Sequence, residues 1–312
     1  MTRVIARAPR LLVAFALAAA AWPHATACAQ TELRTRIDTT FAFNKSAWVD
    51  LSLVSGEIIV TGWTRQEARV VARLEREGQL ETTLTSSRIY IRARARRGRL
   101  GEGRYELMVP IGTRVQATST SGDIQIRATA GEVQVNTTSG DVEVLDANDR
   151  IAIQTISGDV HAEKLAGRTR IGTTSGDLEI DDVTGDLNVH AVSSEIRLYH
   201  VKSSQVSVTT VSGDIEYAGT VDANGSYEFS THSGDVRVEL PSDAGATLEL
   251  QTYSGEISSR FPMTLQPGDR GRRGKRYDFT IGSGGAGGAR VTIETFSGDI
   301  TIERGPRSGR GE

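Results

Sequence analysis

The sequence predicts an all-β chain, a single-stranded parallel β-helix or solenoid of about 18–21-residue coils behind a strand-rich N-terminal cap. Three observations carry that expectation. A Ser-Gly-acid triplet starts at Ser121, Ser139, Ser157 and Ser175 and recurs in altered form as Ser193-Ser194-Glu195, always 18 residues on; it returns at Ser212, Ser233, Ser254 and Ser297, after steps of 19, 21, 21 and 43. Around each triplet apolar residues alternate strictly, as in Val133, Val135 and Thr137 before the triplet and Val142 and Val144 after it, the period of strands with one buried face. No stretch beyond the first thirty residues sustains a 3.6-residue pattern, and 33 glycines with only 5% aromatic residues suit short strands and tight turns.

The elements follow in order. Residues 1–29 read as a secretory signal: Arg3, Arg7 and Arg10 precede the apolar run from Leu11 to Trp22, and small residues follow. Ala27-Cys28-Ala29 before Gln30 reads as a signal-peptidase site. A second reading makes Cys28 a lipidation site and thus a membrane anchor. In either case the chain is exported, to the periplasm, outer membrane or cell surface, and keeps no internal disulfide. Residues 31–114 are strand-like but irregular and are expected to cap the stack, with an isolated relative of the triplet at Ser55-Gly56-Glu57. Residues 115–304 form the solenoid, about eight coils, interrupted by an insertion at about 259–290. Each coil holds two short strands and two turns, and stacking on neighbours buries a face that one unit cannot bury alone. An antiparallel sandwich also accommodates regular short strands, but it has no need of a constant 18-residue step. Residues 305–312 read as a disordered tail.

The triplets Ser121-Gly122-Asp123, Ser139-Gly140-Asp141, Ser157-Gly158-Asp159, Ser175-Gly176-Asp177, Ser212-Gly213-Asp214, Ser233-Gly234-Asp235, Ser254-Gly255-Glu256 and Ser297-Gly298-Asp299 are expected to be structural corners. The alternation places each Ser inward, beside a ladder of inward Thr residues (137, 155, 173, 210, 231, 252 and 295). Gly supplies the backbone angles of the corner and the acid accepts bonds from turn amides. Nucleophilic catalysis needs one activated Ser held against one base, not many equivalent serines. His161, His190, His200 and His232 occupy different phases and build neither a metal site nor a common base. The glycine-rich 18-residue turn invites comparison with calcium-binding β-rolls, but one regular acid per turn serves a cation wanting six to eight oxygens poorly. No catalytic residue, metal or cofactor is expected.

An outward position two residues before the corner is filled in turn by Thr120, Thr138, Ile156, Thr174, Val192, Val211, His232, Tyr253 and Phe296. Ile156, Val192, Val211, Tyr253 and Phe296 make this column apolar toward the C-terminus, a candidate partner surface; the plain alternative is that such residues suit strands or that the insertion covers them. Two basic runs, Arg92 to Arg99 and Arg270 to Arg276, read as solvated surface, and a formal charge of -3 on an exported chain argues against nucleic acid.

The motif T-x-S-G-D-[VIL]-x-[VI], repeated at constant spacing together with "SGEIIVTGW" from Ser55 and the closing "GGARVTIETFSGDITIER" up to Arg304, resembles the bacterial putative-adhesin family, a domain of unknown function in envelope proteins. The resemblance covers most of the mature chain and brings no catalytic residues; Ser194 departs from it in place of the corner Gly. The expected role is a non-enzymatic structural or adhesin-like module binding an envelope protein or polysaccharide. The alternatives are a polysaccharide-acting β-helix enzyme, which needs a local cluster of acids, and a periplasmic signalling partner.

Overall fold

The computed structural model describes residues 32–75, 78–95, 101–262, 264–265, 275–282 and 288–307. Cys28, the signal, Arg96, Arg97, Arg99, Arg270, Arg272, Arg273, nearly half of the predicted insertion and most of the predicted tail lie outside the described residues.

The chain is a parallel β-solenoid. Each coil pairs in register with the next over both of its strands: Val133 and Val135 with Ile151 and Ile153, then Ile151 and Ile153 with Thr169 and Ile171, then Thr169 and Ile171 with Leu187 and Val189. The pairing sends backbone N–H and C=O groups to neighbouring coils, and the alternation sends Val, Ile and Leu inward, where Val135, Ile153, Ile171 and Val189 are fully buried. The corner serines lie directly above one another, from Ser121 through Ser139, Ser157, Ser175, Ser193, Ser212 and Ser233 to Ser297.

The coils turn at three places rather than two. Left-handed backbone recurs at the corner glycines, at Ala128, Asp146, Lys164, Asp182 and His200 one step of 18 apart, and at Asp149, Gly167 and Gly185. The middle corner is invisible as a turn signal because residues other than glycine fill it. There two residues rather than one separate successive inward side chains, as between Val144 and Ala147, which bends the strand like a bulge.

The cap and the insertion differ from expectation. Strand Trp48–Trp63, assigned to the cap, is a true coil: Ser55, Gly56 and Glu57 pair with Ser121, Gly122 and Asp123. On its other edge it pairs in parallel with Arg88–Ala95 and Gly103–Pro110. These are closed in turn by the antiparallel strands Gly78–Leu84 and Glu67–Leu74. At the far end the Ser297 coil slides between its neighbours: Ala289–Ser297 pairs with Ser226–Ser233 on one side and with Ala246–Ser254 on the other. Ala246–Ser254 is therefore the outermost coil, covered by antiparallel Lys275–Ile281. Ten Ser-marked coils result among the described residues, against the eight expected. The strand Lys275–Ile281 of the predicted insertion is a lid, because an outermost parallel strand with free N–H and C=O groups invites further pairing. The last strand, Ile300–Gly305, also carries regular structure to the start of the predicted tail.

The lengthened steps of 19 and 21 residues coincide with larger core residues. Tyr217, Tyr227 and Phe229 are buried together, with ring centroids 6.2 Å and 5.0 Å apart. The Tyr227 hydroxyl donates to Ser203 O at 2.7 Å and accepts from Asp222 N at 2.8 Å. Gly225 borders this group, where a Cβ would stand 2.5 Å from the Tyr227 ring.

Truncating Ile153 to Ala should cost about 2–5 kcal/mol, the usual loss for a buried aliphatic side chain, read as a lower urea midpoint by circular dichroism. Burial pushes the hydroxyls of Tyr105, Tyr217 and Tyr227 above the ordinary tyrosine range. The folded chain thus holds these protons more tightly than the unfolded chain. Stability should be independent of them below about pH 10 and fall as the pH rises beyond it. Urea midpoints at pH 8 and 11 should show the decline, and Tyr217→Phe should reduce it.

Candidate functional site

The Ser-Gly-Asp corner and the column beside it are the repeated surface of the molecule. The inward Thr ladder lies where the alternation predicts. Thr137, Thr155 and Thr173 are buried, and their hydroxyls donate to the carbonyls of Ser139, Ser157 and Ser175 at 3.2, 3.3 and 3.0 Å. Thr231, Thr295 and Thr252 instead donate to glycine carbonyls of the adjacent coil, those of Gly213, Gly234 and Gly298.

The serines do not face inward. Ser121, Ser139, Ser157, Ser212, Ser233, Ser254 and Ser297 are exposed and Ser175 is half-buried. Alternation stops one residue early because the chain begins to turn, so two successive side chains, such as Thr138 and Ser139, both point out. Gly then carries the turn. Gly158 has φ +128°, and a Cβ there would stand 2.3 Å from the carbonyl oxygen of Gly140. Backbone angle and close approach both require glycine.

The acids interlock neighbouring coils rather than their own turns. Asp123 Oδ1 accepts from the backbone N–H of Asp141, Asp141 from Asp159 and Asp159 from Asp177, at 2.9–3.0 Å. Asp214, Asp235 and Asp299 repeat this with Asp235, Asp299 and Glu256 at 2.8 Å. Carboxylates about 4.8 Å apart repel by about 0.9 kcal/mol in water, whereas a hydrogen bond to a charged group contributes about 1.5–3 kcal/mol, so the interlock wins. At the departure coil, Ser194 is buried and Glu195 pairs with Arg197 at 2.5 Å. Ser193 keeps its register with Ser175 and Ser212.

The column is unbroken past Thr174, and among the described residues nothing covers it. Ile156, Val192, Val211, Phe296 and Tyr253 are between 44% and 56% exposed, and Val54 of the Ser55 coil joins the same position. The exchange of the last two coils puts Phe296 between His232 and Tyr253. Ring centroids lie 4.8 Å apart on both sides of Phe296, with interplanar angles of 14° and 3°. Sequence order hid this stack; the 43-residue step, long enough for a lid strand and a return, was the available clue.

The other corner is ionic. A groove of about 730 Å³ has Ala218, Gly219 and Thr220 among its lining, with Tyr199, His200, Leu240 and Pro241. Three of its four carboxylates have basic partners: His200 Nδ1 lies 2.6 Å from Asp181 Oδ1, Lys202 3.7 Å from Asp182, and Lys164 contacts Glu163; the fourth is Glu239. Two members of the basic runs are paired, Arg94 with Glu81 at 2.5 Å and Arg276 with Glu249 at 3.7 Å. Among the described residues no three His, Cys, Asp or Glu side chains converge as metal ligands. No described helix is long and apolar enough to cross a membrane.

The family model described as Toastrack DUF4097 matches residues 55–303, from the Ser55 coil to the last strand. The chain belongs to the Toastrack DUF4097 family. The match opens on the triplet that the sequence sets apart as an isolated relative, in keeping with its place in the Toastrack stack. No curated protein sequence matches the chain. A solved structure from Clostridium sporogenes, described as a "putative cell adhesion protein", is similar at 10% identity, covering 86% of this chain and 100% of that one with a TM-score of 0.23; no argument rests on it.

In this Toastrack chain Gly158→Ala should lower stability by about 1–3 kcal/mol through backbone strain and the clash with Gly140. Ser157→Ala should stay within about 0.5 kcal/mol, as for an exposed side chain. Urea titration of both variants checks the pair; equal losses would contradict the outward placement of Ser157.

Proposed function

We propose that the protein is an exported, non-enzymatic structural or adhesin-like module of the cell envelope that binds a partner along its extended face. The observation that carries this reading is the column from Ile156 to Tyr253, with mostly apolar and aromatic side chains about half-exposed at one position of successive coils and not covered by any described residue. Contiguous exposed apolar surface is a mark of interaction sites. The non-enzymatic part rests on chemistry. Hydrolysis of a glycoside uses a protonated acid and a second carboxylate across the bond. The acids of the corner are spread along a column and bonded to amides; in the groove Glu163 and Asp182 are paired with lysines and Asp181 with the His200 imidazole, which leaves Glu239 there without the second free carboxylate that such a reaction uses. Export rests on the leader at residues 1–29.

Replacing Val211, Tyr253 and Phe296 together with Ser tests the reading. Surface adhesion or self-association of the full chain should fall several-fold while the circular dichroism spectrum stays unchanged and the urea midpoint drops only modestly, because all three side chains are about half-exposed. Unchanged adhesion and self-association would count against the column.

A further inference from the structure

We propose that the column from Ile156 to Tyr253 is a binding track for an extended, uncharged β-linked glycan, an inference that rests on reading this face as the interaction surface. The track follows the stack order Ile156, Thr174, Val192, Val211, His232, Phe296, Tyr253. It is one residue wide. On its corner side run exposed hydroxyls, Ser157, Ser212, Ser233, Ser297 and Ser254; on the other run Gln154, Gly172, His190, Thr209, Ser230, Glu294 and Gln251. A strip that is mostly apolar along its middle and flanked on both sides by polar groups, Glu294 the one carboxylate among those beside it, matches a sugar ring, which offers C–H faces flanked by hydroxyls.

The size of the track argues against a folded protein partner. Six steps of about 4.8 Å give roughly 29 Å of length, and a width of about 10 Å gives on the order of 300 Å², well under the ~800 Å² per partner buried in a stable protein–protein interface. A second copy of this chain is disfavoured on the same ground. The spacing separates the remaining linear ligands. Same-face side chains of an extended peptide repeat every 6.6–6.8 Å or so, which drifts out of phase with a 4.8 Å ladder within two coils. An extended β-linked hexose chain advances by nearly one coil per ring, so each sugar meets an equivalent set of groups.

The rings at the C-terminal end are suited to such contact. His232, Phe296 and Tyr253 lie 4.8 Å apart with near-parallel planes, so Phe296 turns its faces to its neighbours and the stack offers a row of half-exposed ring edges against which the C–H groups of a sugar can pack. Charge selects among glycans. The row of Asp159, Asp177, Asp214, Asp235, Asp299 and Glu256 runs alongside the serines and repels an acidic polymer.

Calorimetric titration of the full chain with cellulose-type and chitin-type hexasaccharides, their disaccharides, and polygalacturonate tests the proposal. At least one hexasaccharide should bind about tenfold or more tightly than its disaccharide, because successive coils engage successive rings. Phe296→Ser with Tyr253→Ser should weaken that binding about tenfold or more while the chain stays folded, its urea midpoint lowered only modestly by the lost ring contacts, and polygalacturonate should not compete. Absence of saturable binding by both hexasaccharides, equal affinity in the substituted chain, or preference for the acidic polymer would overturn it. Should both hexasaccharides fail while the Val211, Tyr253 and Phe296 substitutions still abolish adhesion, the glycan assignment falls and the surface reading stands. Should neither effect be seen, both fall.

Discussion

In-register parallel pairing is the constraint on which the rest of the structure depends. Because coils pair through their backbones, every side chain stands about one strand spacing from its counterpart in the next coil, and a residue is admissible only where its neighbour above can be the same. Val and Ile satisfy this inside by packing. Threonine satisfies it because its hydroxyl turns to a carbonyl at the corner, as Thr137 does with Ser139 O. Glycine alone satisfies it at the corner, where Gly158 would otherwise drive a Cβ into Gly140. Aspartate is admissible outside because each carboxylate takes an amide from the next coil, which outweighs the repulsion between them. Ser-Gly-Asp is thus one solution to stacking, repeated, and its Ser is the component least bound by it.

A parallel stack has no natural end, and the two ends are closed by the same physical means. At each end the outermost parallel strand is met by an antiparallel one: Gly78–Leu84 and Glu67–Leu74 at the first, Lys275–Ile281 at the last. An antiparallel strand has to be reached by a reversal of the chain, and a reversal disturbs coil order. The Ser55 coil therefore precedes the cap strands in sequence yet lies inside them, and the Ser297 coil follows the Ser254 coil yet lies inside it.

The body of the fold was legible because its period and its alternation are both written in residue identity. Register, coil length and the inward Thr ladder follow from Val133, Val135 and Thr137 and their equivalents. The ends were not legible, because order in space parts from order in sequence only where long-range pairing decides, and no local propensity records that Phe296 will stand beside His232. The middle corner was missed for a different reason: Asp146, Lys164 and Asp182 adopt left-handed backbone without glycine, held there by pairing on both sides. The inward placement assigned to Ser157 failed because strict alternation was extended one residue into a turn. Of the candidate site, the column was readable as a position, and its continuity was not.

That continuity bears on what the column is for. Both faces of the strand become aromatic over the same coils: Tyr217, Tyr227 and Phe229 inside, His232, Phe296 and Tyr253 outside. The inner group has a structural account, since longer coils enclose a larger cross-section that bulky side chains fill, and their burial repays the extra loop. The outer group has no such account. Thr120, Thr138 and Thr174 occupy the same position in other coils and keep the same register. An offset ring pair contributes about 0.5–1.5 kcal/mol beyond the area it buries, but these rings remain about half in water, so much of their apolar surface contributes nothing to folding. A residue that the stack can replace with threonine, and that instead leaves about half of an aromatic side chain in solvent in successive coils, is better matched to a ligand that repeats than to the fold that carries it.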